Sequence, residues 1–308
     1  MTDKGPEPVV DFRLRPPYKS FLGLSIHDKD SLQNYTRAGV DPPPSFMDSD
    51  MDLLIQEMDE ANIVRGVVLG RNAAQPYGVV ENDHIAELLQ LYPDRFIAFG
   101  SVDSRAPVKA GSGISGARSM AQSMISETDY VLDDLGFAGI AIDPGWSDPP
   151  RTPDDPTFYP LYAHCSERGV PIAITMSIFV GPDIQFSNPV TIQHVAKDFP
   201  NLQIIVPHAA WPWVNEFLGV CFTAKNIWVS PDFYGHIPNM PGALHYSEAA
   251  NYYLEDRILY ASAYPARPLD ASVAEFNALP LRYEVRRKAL HDNARRLLGD
   301  LVPDRGQL

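Results

Sequence analysis

The residues best suited to chemistry in this chain are arginines. Arg13 and Arg15 stand two apart in "VVDFRLR", Arg71 follows "IVRGVVLG", and Arg267 follows "ILYASAYP". Side chains two apart on a strand share a face, so Arg13 and Arg15 present two guanidiniums to one place. Close cations repel, and each is costly to bury unless an anion faces it. That anion is either a carboxylate of the chain or a ligand. Asp11, one step deeper on the same face, is the nearest internal candidate. The forked donors of a guanidinium suit a carboxylate or phosphate ligand.

Acid–base groups accompany them. His208, in "LQIIVPHAAWP", is either a satisfied core histidine or a proton acceptor working near neutral pH. Asp143 and Asp232 are counter-ions to the arginines or general bases. Tyr234, His236 and Tyr264 are proton-donor candidates or loop packing. Thr175 offers a hydroxyl. Trp211, with Trp213 beside it, offers an aromatic wall for a planar or cyclic ligand.

These positions must be held by regular elements, and the pattern supplies them. A short apolar run followed by an amphipathic helical stretch recurs eight times. The runs are 9–15, 63–70, 95–102, 137–143, 171–177, 202–208, 226–232 and 257–263. Such alternation argues for a parallel sheet. Eight units in a chain of 308 residues argue for an α/β fold, a (β/α)8 TIM barrel. An open doubly wound sheet is the competing arrangement, but no glycine-rich phosphate fingerprint follows the first strand. We divide the chain into a flexible N-terminus (1–8), one barrel domain with long βα loops (9–299) and a C-terminal tail (300–308). Helix starts are expected at Ser49 with Asp52, at Asn82, and at Asn188 with Pro189; stops are expected at Gly169 and Gly299. His84, His164, His194 and His291 fall on covering helices and receive no catalytic role. In such barrels the chemistry sits at the C-terminal strand ends. Arg13, Arg15, Arg71, Asp143, Thr175, His208, Asp232, Tyr234, His236, Tyr264 and Arg267 fall there, with Trp211 and Trp213 behind His208, as do Asp103 and Arg105 after the third strand. The first loop, from about 16 to 48, shows no structure of its own and is long enough to lie over the mouth.

Composition narrows the partners. A net charge of −14 argues against nucleic acid and anionic membranes as partners. Cys165 and Cys221 fall on separate helices and suggest no disulfide framework. No signal-like h-region or membrane-length apolar run is visible, and a cytoplasmic protein is expected.

Taken together, "VVDFRLR", "FAGIAIDP", "PIAITMS", "LQIIVPHAAWP", "ILYASAYP" and the closing "NARRLLG" resemble the amidohydrolase-related barrels, the branch with aromatic-acid decarboxylases and a metal-independent lactonase. The resemblance spans nearly the whole chain and implies a TIM barrel that is often a homodimer. It also implies a metal held by His-x-His on strand one, a histidine ending strand five and an aspartate in Ser-Asp-x-Pro on strand eight. Here those places read Arg13 and Arg15, Thr175, and Ala263. Only His208 remains of the ligand set. One imidazole does not hold a divalent ion, and arginine has no lone pair to donate. The expectation is therefore no metal and no cofactor. The readings that follow are a metal-independent hydrolase of a small carboxylated substrate (a cyclic ester, amide or diketone), a carbon–carbon lyase such as a decarboxylase, or a non-catalytic carrier of an anionic metabolite.

Overall fold

In the computed structural model, residues 7–28, 30, 33, 35, 39–104 and 113–307 are described. Nine strands occur among them: β1 (Val9–Leu14), β2 (Ile63–Leu69), β3 (Arg71–Asn72), β4 (Val79–Val80), β5 (Phe96–Ser101), β6 (Gly139–Ile142), β7 (Ile172–Ile174), β8 (Ile204–Pro207) and β9 (Ile227–Ser230). Seven form one parallel sheet in the order β1-β2-β5-β6-β7-β8-β9. Except for the start of β2, these strands are buried at nearly every residue, as expected for apolar runs covered on both faces. Val10, Phe12, Val67, Phe99, Ala141, Ala173, Ile205 and Ala261 fill the interior.

The eighth run does not form a regular ladder. It closes the barrel through single bridges, Val229 with Ile258 and Leu14 with Tyr264. Leu259 N donates to Val229 O at 2.9 Å, and Phe12 N donates to Tyr260 O at 2.9 Å. The reason is local: Ala263 has φ 59° and Pro265 follows, so the run cannot stay extended to its end.

One irregularity matters for the site. Asp11 is opposite Gly66 while Leu14 is opposite Val68, so β1 carries one extra residue, a β-bulge. Val10 and Phe12 face the interior, but Leu14 packs outward with the helix-covered core. The bulge places Arg13 and Arg15 at the mouth and separates them from the face that carries Asp11.

Helix ends follow local chemistry, with two corrections to the sequence reading. Asn188 Oδ1 accepts from Val190 N at 3.0 Å with Pro189 at the first turn, and Gly169 (φ 64°) ends Tyr159–Arg168, both as expected. Asp50, not Ser49, caps Met51–Glu60, accepting from Asp52 N at 2.7 Å; Ser49 is left-handed (φ 53°) and ends Pro44–Asp48. Asn82 sits inside its helix, and its amide instead pairs with Ser101 N and O at 2.9 and 2.8 Å. Cys165 and Cys221 are free and buried, and burial pushes both thiols up to about 12. No helix among the described residues is long and apolar enough to cross a membrane.

The first loop is more ordered than its sequence suggested. It contains short turns at Lys19–Gly23 and Ser25–His27 and the helix Pro44–Asp48. It is pinned to the mouth: His27 Nε2 donates to Arg15 O at 2.9 Å, and Tyr35 Oη donates to Pro265 O. The fourth and fifth loops lock together at Gly145, where a Cβ would meet the Val180 carbonyl and Gly181 N at 2.8 Å. Those neighbours are backbone and cannot yield. Gly145→Ala is expected to lower stability by about 1–3 kcal/mol in a urea titration; an unchanged midpoint would show that the two loops are not in this close register.

Candidate active site

Arg13, Arg15 and Arg71 converge on one small pocket at the mouth, with Asp143, Thr175, Leu14, Leu24, Leu69 and Gly70. The three arginines are 3, 8 and 7% exposed, so their charges are nearly desolvated. β1 delivers the first two. The third is held by a feature the sequence reading missed, an antiparallel ribbon of β3 and β4 in which Arg71 pairs with Val80. The "QPYG" between them is a turn signal that pointed to it.

The counter-ions differ from the nearest one in sequence. Asp11 Oδ1 accepts the backbone N–H groups of Arg13 (3.0 Å) and Ser262 (2.9 Å), while Oδ2 has no partner. Burial, against those hydrogen bonds, raises its pKa to about 7. Asp11 therefore tethers backbone and does not neutralise the Arg13 guanidinium. That task falls to Asp232, whose Oδ2 is 3.5 Å from Arg13 Nε. Arg71 Nε is 3.6 Å from Asp143 Oδ2, and its guanidinium carbon lies 4.3 Å from the Trp146 ring, which stacks on Tyr77 at 4.9 Å. Burial lowers the Arg71 pKa to about 10. Among the described residues Arg15 has no carboxylate partner. Its Nη1 donates to the carbonyls of Ala263 (3.0 Å) and Tyr264 (3.4 Å). Burial first, then the Arg13 and Arg71 charges, press its pKa well below the ordinary range.

Asp232 also serves His208. His208 Nδ1 lies 2.9 Å from Asp232 Oδ2, but the ring N–H is not aimed along that line, so the contact is ionic in distance and not a linear hydrogen bond. Ser230 Oγ donates to Asp232 Oδ1 at 2.7 Å. Burial opposes ionisation of Asp232, but His208, Arg13 and Ser230 outweigh it and hold the carboxyl below its usual range. Burial and the nearby guanidiniums take His208 down to about 4, against the pull of Asp232. The imidazole is thus neutral and able to accept a proton. Tyr234 packs edge-on to His208 at 5.4 Å and stacks on Trp211 at 4.8 Å; burial raises its phenol to about 12, so it stays protonated.

The strand ends share an uncommon backbone. His208, Ala209 and Ala210 have φ of 64, 45 and 57°, and Asp232 has φ 54°. Left-handed non-glycine residues cost free energy and cluster at functional sites. Here they accompany the approach of His208 Nδ1 to within 2.9 Å of Asp232 Oδ2.

Of the candidates, Arg13, Arg15, Arg71, Asp143 and Thr175 line the pocket, while Asp232, His208, Tyr234 and Trp211 stand beside Arg13 without lining it. Three further candidates are carried away from this cluster. Tyr264 turns away, its hydroxyl 2.6 Å from Ser45 Oγ, which donates to Glu57 Oε2 at 2.5 Å. Arg267 pairs with Glu275 on the helix Leu269–Asn277. His236 is buried against Ser272 Oγ at 2.8 Å, and burial lowers it to about 3. Each is held by a helix or loop outside the arginine cluster, with Arg267 Nη1 left without a hydrogen bond. Arg105 lies outside the described residues.

A divalent metal does not fit this residue set. Among the described residues no three of His, Cys, Asp or Glu converge as ligands. His208 and Asp232 offer two donors, and the Arg13 guanidinium already faces the carboxylate.

The profile of the family described as Amidohydrolase matches residues 11–299. An uncharacterised TIM-barrel protein from Bordetella bronchiseptica is 34% identical, with TM-score 0.86, covering 96% of this chain and 99% of that one. More distant folds include 2,6-dihydroxybenzoate decarboxylase from Rhizobium (18% identity, TM-score 0.66, 95% and 99% coverage). Another is 5-carboxyvanillate decarboxylase from Sphingomonas paucimobilis (16%, 0.61, 95% and 99%). No curated protein matches the chain significantly. With the family profile spanning nearly the entire barrel, the chain belongs to the amidohydrolase family.

Proposed function

We propose that this chain is a metal-independent hydrolase acting on a small carboxylated substrate. The observation that carries the reading is Arg15, a buried guanidinium that among the described residues has no carboxylate of its own, beside two arginines that each have one. An unpaired buried cation is costly, and a ligand carboxylate removes that cost. In this reading Arg15 binds the substrate carboxylate, and the unpartnered Arg13 Nη1 faces charge that develops on the reacting oxygen. His208 takes a proton from water as the oxygen attacks the acyl carbon, and Asp232 stabilises the imidazolium that forms. As the bond from the acyl carbon to the leaving oxygen or nitrogen breaks, the leaving group takes up a proton from Tyr234, and the His208 imidazolium returns its proton to the phenolate packed against it.

Arg15→Met is expected to raise KM by about 10- to 150-fold, the value of hydrogen bonds to a charged group, on a panel of carboxylated lactones and amides. An unchanged KM would remove the anion site. His208→Ala is expected to lower kcat by about 10²- to 10⁴-fold. Turnover that persists in this variant, or release of carbon dioxide from the substrate, would contradict hydrolysis by this base and favour a carboxy-lyase.

The pH profile carries a sign. The base acts when unprotonated, so kcat/KM should fall as pH drops through about 4, the free-enzyme value of His208. A bound anion offsets the arginine field and makes the imidazole more basic. The acid limb of kcat should therefore lie at higher pH than that of kcat/KM. Coincident limbs, or an inverted order, would show that His208 does not feel the bound anion.

A further inference from the structure

The charges that face the pocket can be counted, and the count selects among anions. Arg15 feels Arg13 and Arg71 as repulsion and Asp232 and Asp143 as attraction. Among the described residues, Arg13, Arg15, Arg71 and Asp143 line the pocket and Asp232 faces Arg13, three guanidiniums and two carboxylates. His208 and Asp11 stand next to them and are mostly uncharged between about pH 4 and pH 7. His208 is neutral above about 4, and Asp11 is protonated below about 7. Among the described residues, Arg267 is committed to Glu275, and Lys19 to Glu87 on the surface. The remaining lining is uncharged, made of Leu14, Leu24, Leu69, Gly70 and the hydroxyl of Thr175.

Resting on the reading that this pocket binds an anion, we propose that it is built for one negative charge: a small monocarboxylate whose remainder is uncharged and largely apolar. One carboxylate brings the buried cluster to neutrality. A second would sit against leucines or beside Asp143 and Asp232, desolvated and without a partner. The leucines favour an apolar body. Leu24 comes from the pinned first loop and lines the pocket.

Isosteric probes test this without knowledge of the natural substrate. Calorimetric titration of the full chain at about pH 6.5 compares succinamate, succinate and succinamide, and in parallel 3-carbamoylbenzoate, isophthalate and isophthalamide. Each trio keeps its shape while carrying one, two or no charges. In whichever trio binds, the monoanion should be tighter than both relatives by at least about tenfold. In Arg15→Met its advantage over the neutral diamide should vanish. A dianion that binds as well as or better than the monoanion overturns the single-charge proposal and leaves the anion pocket standing. A diamide that equals the monoanion, or no binding by either monoanion, overturns the anion reading itself.

Discussion

Among the described residues, three buried guanidiniums share two ion-paired carboxylates, and the mouth of this barrel is organised around that constraint. Arg13 leans on Asp232 at 3.5 Å and Arg71 on Asp143 at 3.6 Å, both long for ion pairs. Arg15 has two backbone carbonyls and, among the described residues, no carboxylate. Carbonyl dipoles soften a buried cation without cancelling it. The scaffold must therefore supply rigidity, because arginines free to move would swing toward solvent or toward each other's counter-ions.

That rigidity comes from several directions. The bulge in β1 turns the arginines to the mouth, and Asp11 fixes the bulge by accepting the Arg13 and Ser262 amides. The β3–β4 ribbon carries Arg71 to the stack of Trp146 and Tyr77. The first loop is anchored to Arg15 O by His27 and to the eighth run by Tyr35 and Ser45. Tyr264 looked like chemistry in the sequence, yet it helps to hold the loop that walls the site.

Much of this was legible beforehand. Long stretches buried on both faces announce themselves as apolar runs, and the eight runs fell where the strands and the closing segment lie. Arg13, Arg15, Arg71, Asp143 and Thr175 followed from one rule about strand ends, and the structure gathers them. What the sequence hid depends on register and on contacts distant along the chain. One extra residue in β1 removed Asp11 as counter-ion and made Asp232, 219 positions after Arg13, the partner instead. The left-handed backbone at His208 and Asp232 has no sequence signal, since neither position is glycine. Arg267 and His236 sit near strand ends but follow helix contacts, which strand position does not report.

The central claim is that Arg15 is the ligand's anchor. A crystal structure of the protein soaked with 3-carbamoylbenzoate or succinamate tests it most directly. The account requires the ligand carboxylate within hydrogen-bond distance of the Arg15 guanidinium, with Arg13 still on Asp232 and Arg71 still on Asp143. A ligand bound elsewhere, or an Arg15 side chain swung onto Asp143 or Asp232 with no anion in the pocket, would contradict it.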